Sequence, residues 1–390
     1  METPRATGGP DGGPIRVMVV DDSAVIRGLV SRWLDAEPDL KVVSTAPNGA
    51  QALRLVAKAE PEVIILDVEM PEMDGITALP ELLKLVRGVR VLMSSTLTQS
   101  GAEISMKALT LGAADYLTKP SSTREANAVE AFRQELVAKA RALGEAARRR
   151  SSFLRSTPAA ASSAPAAAAA APLRKPSSLY GGAAVTTRPA GALRPQVLAI
   201  GSSTGGPQAL STLLGPIAAR LDVPILITQH MPATFTAILA EHIAKATGVA
   251  AAEAKDGETI QSRRIYVAPG NHHMIVERQG TSRILRLTSD PPENFCRPAV
   301  DPMLRSVAGV YGGSTLVVIL TGMGQDGLQG SRAVTEVGGT VLAQDEASSV
   351  VWGMPGAVAT AGLCTSVLPL GELGTAIERL VKGPAMAGVR

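Results

Sequence analysis

Three residues in the second half of this chain have the types that acyl transfer needs, and each follows a short apolar run. Ser203 comes after Val197-Leu198-Ala199-Ile200, His230 after Pro224-Ile225-Leu226-Ile227-Thr228, and Asp326 after Ser314-Thr315-Leu316-Val317-Val318-Ile319-Leu320. A nucleophile, a base and an acid that orients the base make up the usual machinery of that chemistry. If the runs are strands of one parallel sheet, their ends share an edge and the three side chains can meet there. Gly201-Ser202-Ser203-Thr204-Gly205 fits a G-x-S-x-G pattern, and Pro207 opens an amphipathic run through Ala209, Leu210, Leu213 and Leu214. Strand, tight turn and helix in that order lift one side chain off a sheet edge at a helix N-terminus. The competing reading of Ser203 is a serine that only caps the next helix. Asp326, between Gly324 and Gly327, has the same competitor. His230 competes with a hydrogen-bonded loop histidine. Of the other histidines, His242 lies in a helical run and reads as surface or packing, and His272 and His273 read as turn residues in preference to a ligand pair.

A second set of reactive residues lies in the first half. Asp21 and Asp22 follow the apolar run Ile15–Val20, Asp67 ends Val63-Ile64-Ile65-Leu66, and Lys119 ends Asp115-Tyr116-Leu117-Thr118. Carboxylates pushed together repel unless a cation neutralises them, and an oxygen-only donor set selects a hard ion such as Mg²⁺. With Lys119 and the Ser95 hydroxyl directed toward the same edge, the set suits an aspartate that accepts a phosphoryl group. Solvated loop acids are the alternative.

The elements that must position these residues are two α/β units. In the first, five unbroken apolar runs alternate with helical patterns, as expected for a parallel sheet covered on both faces. In the second, five further apolar runs and a pair around Gln279-Gly280 predict a mostly parallel, doubly wound sheet. Between them, Ser151 to about Arg194 is Ala, Pro, Ser and Arg with an alanine run at 166–171, which predicts a flexible linker. The expected divisions are a disordered tail at 1–14, a first domain at 15–140, a helix end and linker at 141–194, a second domain at 195–382 and a tail at 383–390.

Composition narrows the function classes. At 390 residues with 45 % hydrophobic content, the chain has enough material for two cores, and its 3 % aromatic content makes those cores aliphatic. A net charge of +3 is too small to argue for nucleic acid, and clusters such as Arg148-Arg149-Arg150 read as solvated. Neither a long apolar span nor a secretory signal pattern is present. Two cysteines, Cys296 and Cys364, stand far apart without ligand spacing, so a reduced cytoplasmic protein is expected. The order Ser, His, Asp is not the Ser, Asp, His order of α/β-hydrolases, and no phosphate-binding Gly-x-x-x-x-Gly-Lys-[Ser/Thr] occurs.

Residues 15–140 resemble the response-regulator receiver domain, a flavodoxin-like fold. Asp21-Asp22, Asp67, the Met70-Pro71-x-Met73-Asp74-Gly75 turn, Ser95 and Lys119-Pro120 carry the resemblance. It implies that Asp67 is the phosphoacceptor and that Asp21, Asp22, Asp67 and the Glu69 carbonyl hold Mg²⁺. It further implies that Lys119 pairs with the phosphoryl group, that Ser95 is the switch hydroxyl among Ser94, Ser95 and Thr96, and that Tyr116 is the switching aromatic. Residues 195–382 resemble the catalytic domain of chemotaxis protein-glutamate methylesterases, the CheB family. Ile200 to Pro207, Thr228 to Pro232, Tyr266 to Met274, Arg297 to Asp301, Leu320 to Gly327 and Gln344 to Gly356 carry that match.

The second resemblance implies a Ser203–His230–Asp326 esterase that acts on glutamate γ-methyl esters of chemoreceptors and deamidates receptor glutamines. The Met323 N–H would serve the oxyanion, Thr204 would support the site, and no organic cofactor would be needed. Its implied partners are the receptors and a chemotaxis histidine kinase, with no nucleic acid, no membrane insertion and a monomeric state. Phosphorylation of the receiver would control the esterase. Two other classes stay open on the residues alone: a regulated hydrolase of a different ester or amide, and a non-catalytic signalling module on the same scaffold.

Overall fold

The computed structural model describes residues 13–96, 98–120, 126–155 and 185–383. The expected tail at 1–14 lies outside them save for Gly13 and Pro14, as do most of the expected linker and all of the C-terminal tail after Gly383. The chain divides into two compact units, each built on its own parallel sheet.

The N-terminal sheet follows from five apolar runs. Its elements are β1 (Ile15–Val20), α1 (Ala24–Asp35), β2 (Leu40–Ala46), α2 (Gly49–Ala59), β3 (Val63–Asp67), α3 (Gly75–Leu85), β4 (Arg90–Thr96), α4 (Gln99–Thr110), β5 (Asp115–Lys119) and α5 (Ala126–Arg155). The strand order is β2-β1-β3-β4-β5. β1 and β3 are buried along nearly their whole length, which is why their sequences show no polar alternation. Side-chain caps start the helices: Ser23 accepts from the Ile26 N–H, Asn48 from Gln51 and Asp74 from Thr77.

Two expectations at the end of this unit change. The fifth helix runs on to Arg155, into the stretch from Ser151 that was expected as linker. Arg148 is not solvated: its guanidinium pairs with Glu62 at 2.6 Å and donates to the carbonyls of Gly13 and Pro14. A basic run beside low-complexity sequence looked free because its partner lies far away in the chain.

The second unit contains β6 (Val197–Ser202), α6 (Gly206–Leu214), β7 (Ile225–Gln229), α7 (Ala233–Thr247), β8 (Ala251–Glu253), β9 (Ile265–Val267), β10 (His273–Gln279) and β11 (Ser282–Thr288). It continues with α8 (Val300–Tyr311), β12 (Thr315–Ile319), α9 (Leu328–Glu336), β13 (Thr340–Gln344), α10 (Met354–Thr360), β14 (Ser366–Leu368) and α11 (Leu370–Lys382). Seven strands form one sheet in the order β14-β13-β12-β6-β7-β9-β8. Every neighbouring pair in it is parallel, and β10 and β11 form a separate antiparallel hairpin. β6, β7, β12 and β13 are fully buried.

Residues 185–194, expected as linker, are fastened to this unit. The Arg188 N–H donates to the Cys364 carbonyl at 3.0 Å, the Gly191 N–H to Thr340 Oγ1 at 2.9 Å, and Arg194 Nε to the Val381 carbonyl at 2.5 Å. Among the described residues, no helix is long and apolar enough to cross a membrane.

Candidate active site

Ser203, His230 and Asp326 lie in loops that leave three adjacent strands, β6, β7 and β12. β6 and β12 flank the point where the strand order reverses, with β7, β9 and β8 on one side and β13 and β14 on the other. Open α/β sheets leave a crevice at such a switch point, outside the carboxyl ends of the strands.

Ser203 follows β6 directly. Its N–H donates to the Thr321 carbonyl at 3.0 Å, and its own carbonyl accepts from the Gly206 N–H at 2.7 Å. Gly205 turns the chain into α6 with φ 77°, and a Cβ there would sit 2.7 Å from Val350 Cβ, so only glycine fits the turn. Gly322 is held bare by a second constraint: a Cβ on it would come within 2.9 Å of Ser203 Cβ and 3.0 Å of Ser203 N. The absence of that atom lets the Thr321–Met323 backbone lie against the serine. Among the described residues, neither the Met323 N–H nor Ser203 Oγ has a hydrogen-bond partner. A backbone donor left free in a loop packed against the serine can serve an oxyanion. Thr204 is buried, and its carbonyl accepts from Thr321 Oγ1 at 2.9 Å, which ties the two loops together.

His230 and Asp326 are brought into contact, Nε2 to Oδ2, at 2.7 Å. An ionised carboxylate only accepts, so Nε2 carries the proton and Nδ1 keeps the lone pair. Nδ1 is therefore the ring nitrogen left able to take a proton. Asp326 lies in the loop between β12 and α9, and it is fully buried. Its Oδ2 also accepts from the Val300 N–H at 2.6 Å, and its Oδ1 from the N–H groups of Asp301 at 3.0 Å and Gly327 at 2.9 Å. The helix-capping role weighed from the sequence and the histidine-orienting role are thus filled by one carboxylate, but the capped helix is α8, not the α9 that follows. Burial alone would raise Asp326, yet the His230 contact and the Val300 and Asp301 N–H groups hold it below the ordinary carboxylate range. For His230, burial works to lower its pKa, and the Asp326 carboxylate with the adjacent Cys296 thiol outweighs it, so the imidazole sits above its ordinary value.

Three residues that the sequence reading passed over hold this pair in place. Gln229 accepts from Ser202 Oγ at 2.7 Å, and its Nε2 donates to the Ser203 carbonyl at 2.9 Å and the His230 carbonyl at 3.3 Å. Asn294 Nδ2 donates to Asp326 Oδ1 at 3.0 Å and to Asp301 Oδ2 at 3.1 Å. Asp301 is buried, and its Oδ1 accepts from the Gly330 N–H at 2.7 Å; burial and the nearby Asp326 charge push it up to about 6. A glutamine at a buried strand end was the one visible signal. His273, read as a turn residue, is a buried strand residue whose ring spans the Ala299 N–H and the Pro291 carbonyl.

Replacing Gln229 with leucine removes all three of its bonds and leaves the Ser202 hydroxyl unpaired. A 1 Å misplacement at a reacting centre costs about 10²-fold, so Gln229→Leu is expected to lower kcat about 100-fold while KM changes little. Steady-state ester hydrolysis checks this, with melting temperature followed in parallel.

The acidic set of the first unit also assembles. Side-chain oxygens of Asp21, Asp22 and Asp67 lie within 4.8 Å of one another. Lys119 Nζ pairs with Asp21 at 2.8 Å and Asp67 at 2.7 Å. Burial pushes Asp67 up to about 6, with the Lys119 charge opposing. One lysine cannot neutralise three carboxylates, so this oxygen donor set fits a hard divalent cation. Ser95 is buried near the end of β4 and Tyr116 near the start of β5, and Glu69 is exposed. Lys139 donates to the Tyr116 carbonyl at 2.7 Å and pairs with Asp115 at 3.1 Å, which anchors the tyrosine backbone.

Comparison with known proteins gives a consistent picture. Residues 198–377 match the CheB methylesterase family, and residues 17–129 match the response regulator receiver domain. The chain is 52 % identical over 380 residues to a protein-glutamate methylesterase/protein-glutamine glutaminase of Azospirillum brasilense, covering 97 % of this chain and 96 % of the relative. It is 53 % identical over 367 residues to a protein of the same description from Paramagnetospirillum magneticum, covering 94 % and 96 %. Among solved structures, the Thermotoga maritima CheB methylesterase catalytic domain aligns with 37 % identity and a TM-score of 0.47, over 48 % of this chain and 100 % of that one.

Proposed function

Because the chain belongs to the CheB family of protein-glutamate methylesterases/protein-glutamine glutaminases, we propose that Ser203, His230 and Asp326 hydrolyse glutamate γ-methyl esters on chemoreceptors. The observation that carries the assignment is the 2.7 Å His230–Asp326 bond, made between the loops after β7 and β12, while Ser203 lies in the loop after β6, the strand between them. Ser203 Oγ attacks the ester carbonyl while His230 Nδ1 takes its proton. The negative charge that develops on the carbonyl oxygen is met by the Met323 N–H. Asp326 stabilises the imidazolium and fixes its tautomer. The tetrahedral centre collapses, His230 returns the proton to the departing methoxide, and methanol leaves. His230 then takes a proton from water, which attacks the acyl-serine and restores the glutamate carboxylate and the free serine. The same sequence on a γ-carboxamide releases ammonia, which accounts for glutaminase activity. None of these steps calls for an organic cofactor.

The receiver supplies regulation. Asp67 accepts a phosphoryl group from a chemotaxis histidine kinase, and Lys119 is placed to pair with the added charge. Asp21, Asp22 and Asp67, with the Glu69 carbonyl, would hold Mg²⁺, which when bound offsets the charge of the incoming phosphoryl group. Ser95 and Tyr116 would register that charge as the switch pair. The enzyme is proposed to work as a monomer in the cytoplasm on the cytoplasmic parts of its receptors. Asp67→Ala is expected to bring the ratio of esterase activity with and without a small acyl phosphate to one, where the native chain gives a ratio above one. Stimulation of that variant to the native extent would remove Asp67 from the scheme.

A further inference from the structure

The residue between Asn294 and Cys296 occupies an unusual place. Glu293 and Cys296 close a tight turn on each other, the Cys296 N–H donating to the Glu293 carbonyl at 2.9 Å and the Glu293 N–H to the Cys296 carbonyl at 3.1 Å. The two residues inside it have φ 50° at Asn294 and 64° at Phe295. Positive φ at both central positions is the signature of a type I′ turn, whose favoured pair is Asn-Gly. Asparagine stands where expected. Phenylalanine, with a Cβ and a ring, stands where glycine would be free of strain.

The turn faces two ways. Inward, Asn294 bonds the catalytic carboxylate of Asp326, and Cys296 lies against the His230 imidazole. Outward, the Phe295 ring is fully exposed. No other aromatic side chain is exposed among the described residues. The fold gains nothing from the ring, since it packs against nothing, and it carries the backbone strain of holding a phenylalanine left-handed. An aromatic kept at that position, one residue from the contacts of both His230 and Asp326, is placed to meet what enters the site.

We propose that Phe295 is a specificity-determining residue that packs on an apolar side chain of the polypeptide flanking the esterified glutamate. This deepens, and rests on, the reading of the site as an esterase acting on a protein. It separates recognition of the polypeptide from the chemistry on the ester, because the ring is outside the path of the proton and the acyl group.

The test uses the full chain and two substrates: receptor membranes methylated at their glutamates, and the small capped ester N-acetylglutamate α-amide γ-methyl ester. Phe295→Gly removes the ring and gives the turn its preferred residue, so a raised melting temperature is expected and loss of fold is not. On the receptor, kcat/KM is expected to fall about tenfold through KM, with hydrolysis of the small ester unchanged within twofold. Phe295→Tyr, which keeps the aromatic face, is expected to retain native kcat/KM on both. Unchanged receptor kinetics in Phe295→Gly, or an equal loss on both substrates, overturns the proposal. A native chain that cleaves neither ester overturns the esterase reading and this inference with it, and that outcome is recognised before any variant is made.

Discussion

Ser203→Ala is expected to lower ester hydrolysis by roughly 10⁵- to 10⁶-fold, the order seen when the serine of such a set is deleted. The loss is about 7–8 kcal/mol of transition-state stabilisation at 1.36 kcal/mol per decade. It should appear wholly in kcat. Ser203 Oγ has no hydrogen-bond partner among the described residues, so its removal strands no polar group. The backbone bonds of Ser203 to Thr321 and Gly206, and that from Gln229, all survive the change. The variant should therefore melt within a degree or two of the native chain and still bind methylated receptor. A residual rate above the uncatalysed one is expected, because the Met323 N–H and the binding surface remain. Ester hydrolysis, calorimetry and receptor co-sedimentation on one preparation check the three statements together.

Asp326→Asn carries the second largest effect, about 10⁴-fold in kcat, the order found for a wrong-tautomer substitution. The amide nitrogen has to be placed somewhere. Oδ1 is met by three donors, from Asn294, Asp301 and Gly327, whereas Oδ2 is met by the Val300 N–H and His230 Nε2. Of these, only the imidazole can become an acceptor. The amide therefore turns its NH₂ toward His230, the ring proton moves to Nδ1, and the nitrogen that should receive the serine proton no longer can. The same NH₂ meets the Val300 N–H donor to donor, at a cost of about 1–3 kcal/mol in stability, so the melting temperature falls as well.

The pH profile distinguishes this variant from a merely misfolded one. The proposed mechanism needs neutral His230. In the native chain Asp326 and Cys296 hold the imidazole above its ordinary value against the opposing effect of burial, so the acid limb of kcat/KM lies above pH 6.5. Without the carboxylate's charge one of the two groups that oppose burial is lost, and the limb moves to lower pH. A native acid limb in Asp326→Asn, or activity within tenfold of native, contradicts the arrangement.

How much of this was legible beforehand depended on how local each signal was. Buried parallel strands announce themselves as unbroken apolar runs, so both sheets, and the positions of Ser203, His230 and the acidic set beyond their strands, could be read directly. Asp326 was legible as a residue, but its cap on α8 was not, because the capped N–H groups belong to Val300 and Asp301, far upstream in sequence. Gln229 and Asn294 act through side-chain bonds to residues that no periodicity links to them. The edge strands β8 and β14, each of three residues, are too short to show a pattern. Arg148 looked solvated for the same reason that Asn294 looked inert: the partner, Glu62, is brought near only by folding.

The measurement that bears most directly on the whole account is methanol release from receptor membranes methylated with a labelled methyl group, incubated with the native chain with and without a small acyl phosphate. The account predicts labelled methanol in both cases, released faster with the phosphodonor. Absence of methanol, from a chain that still hydrolyses a small ester, would contradict it.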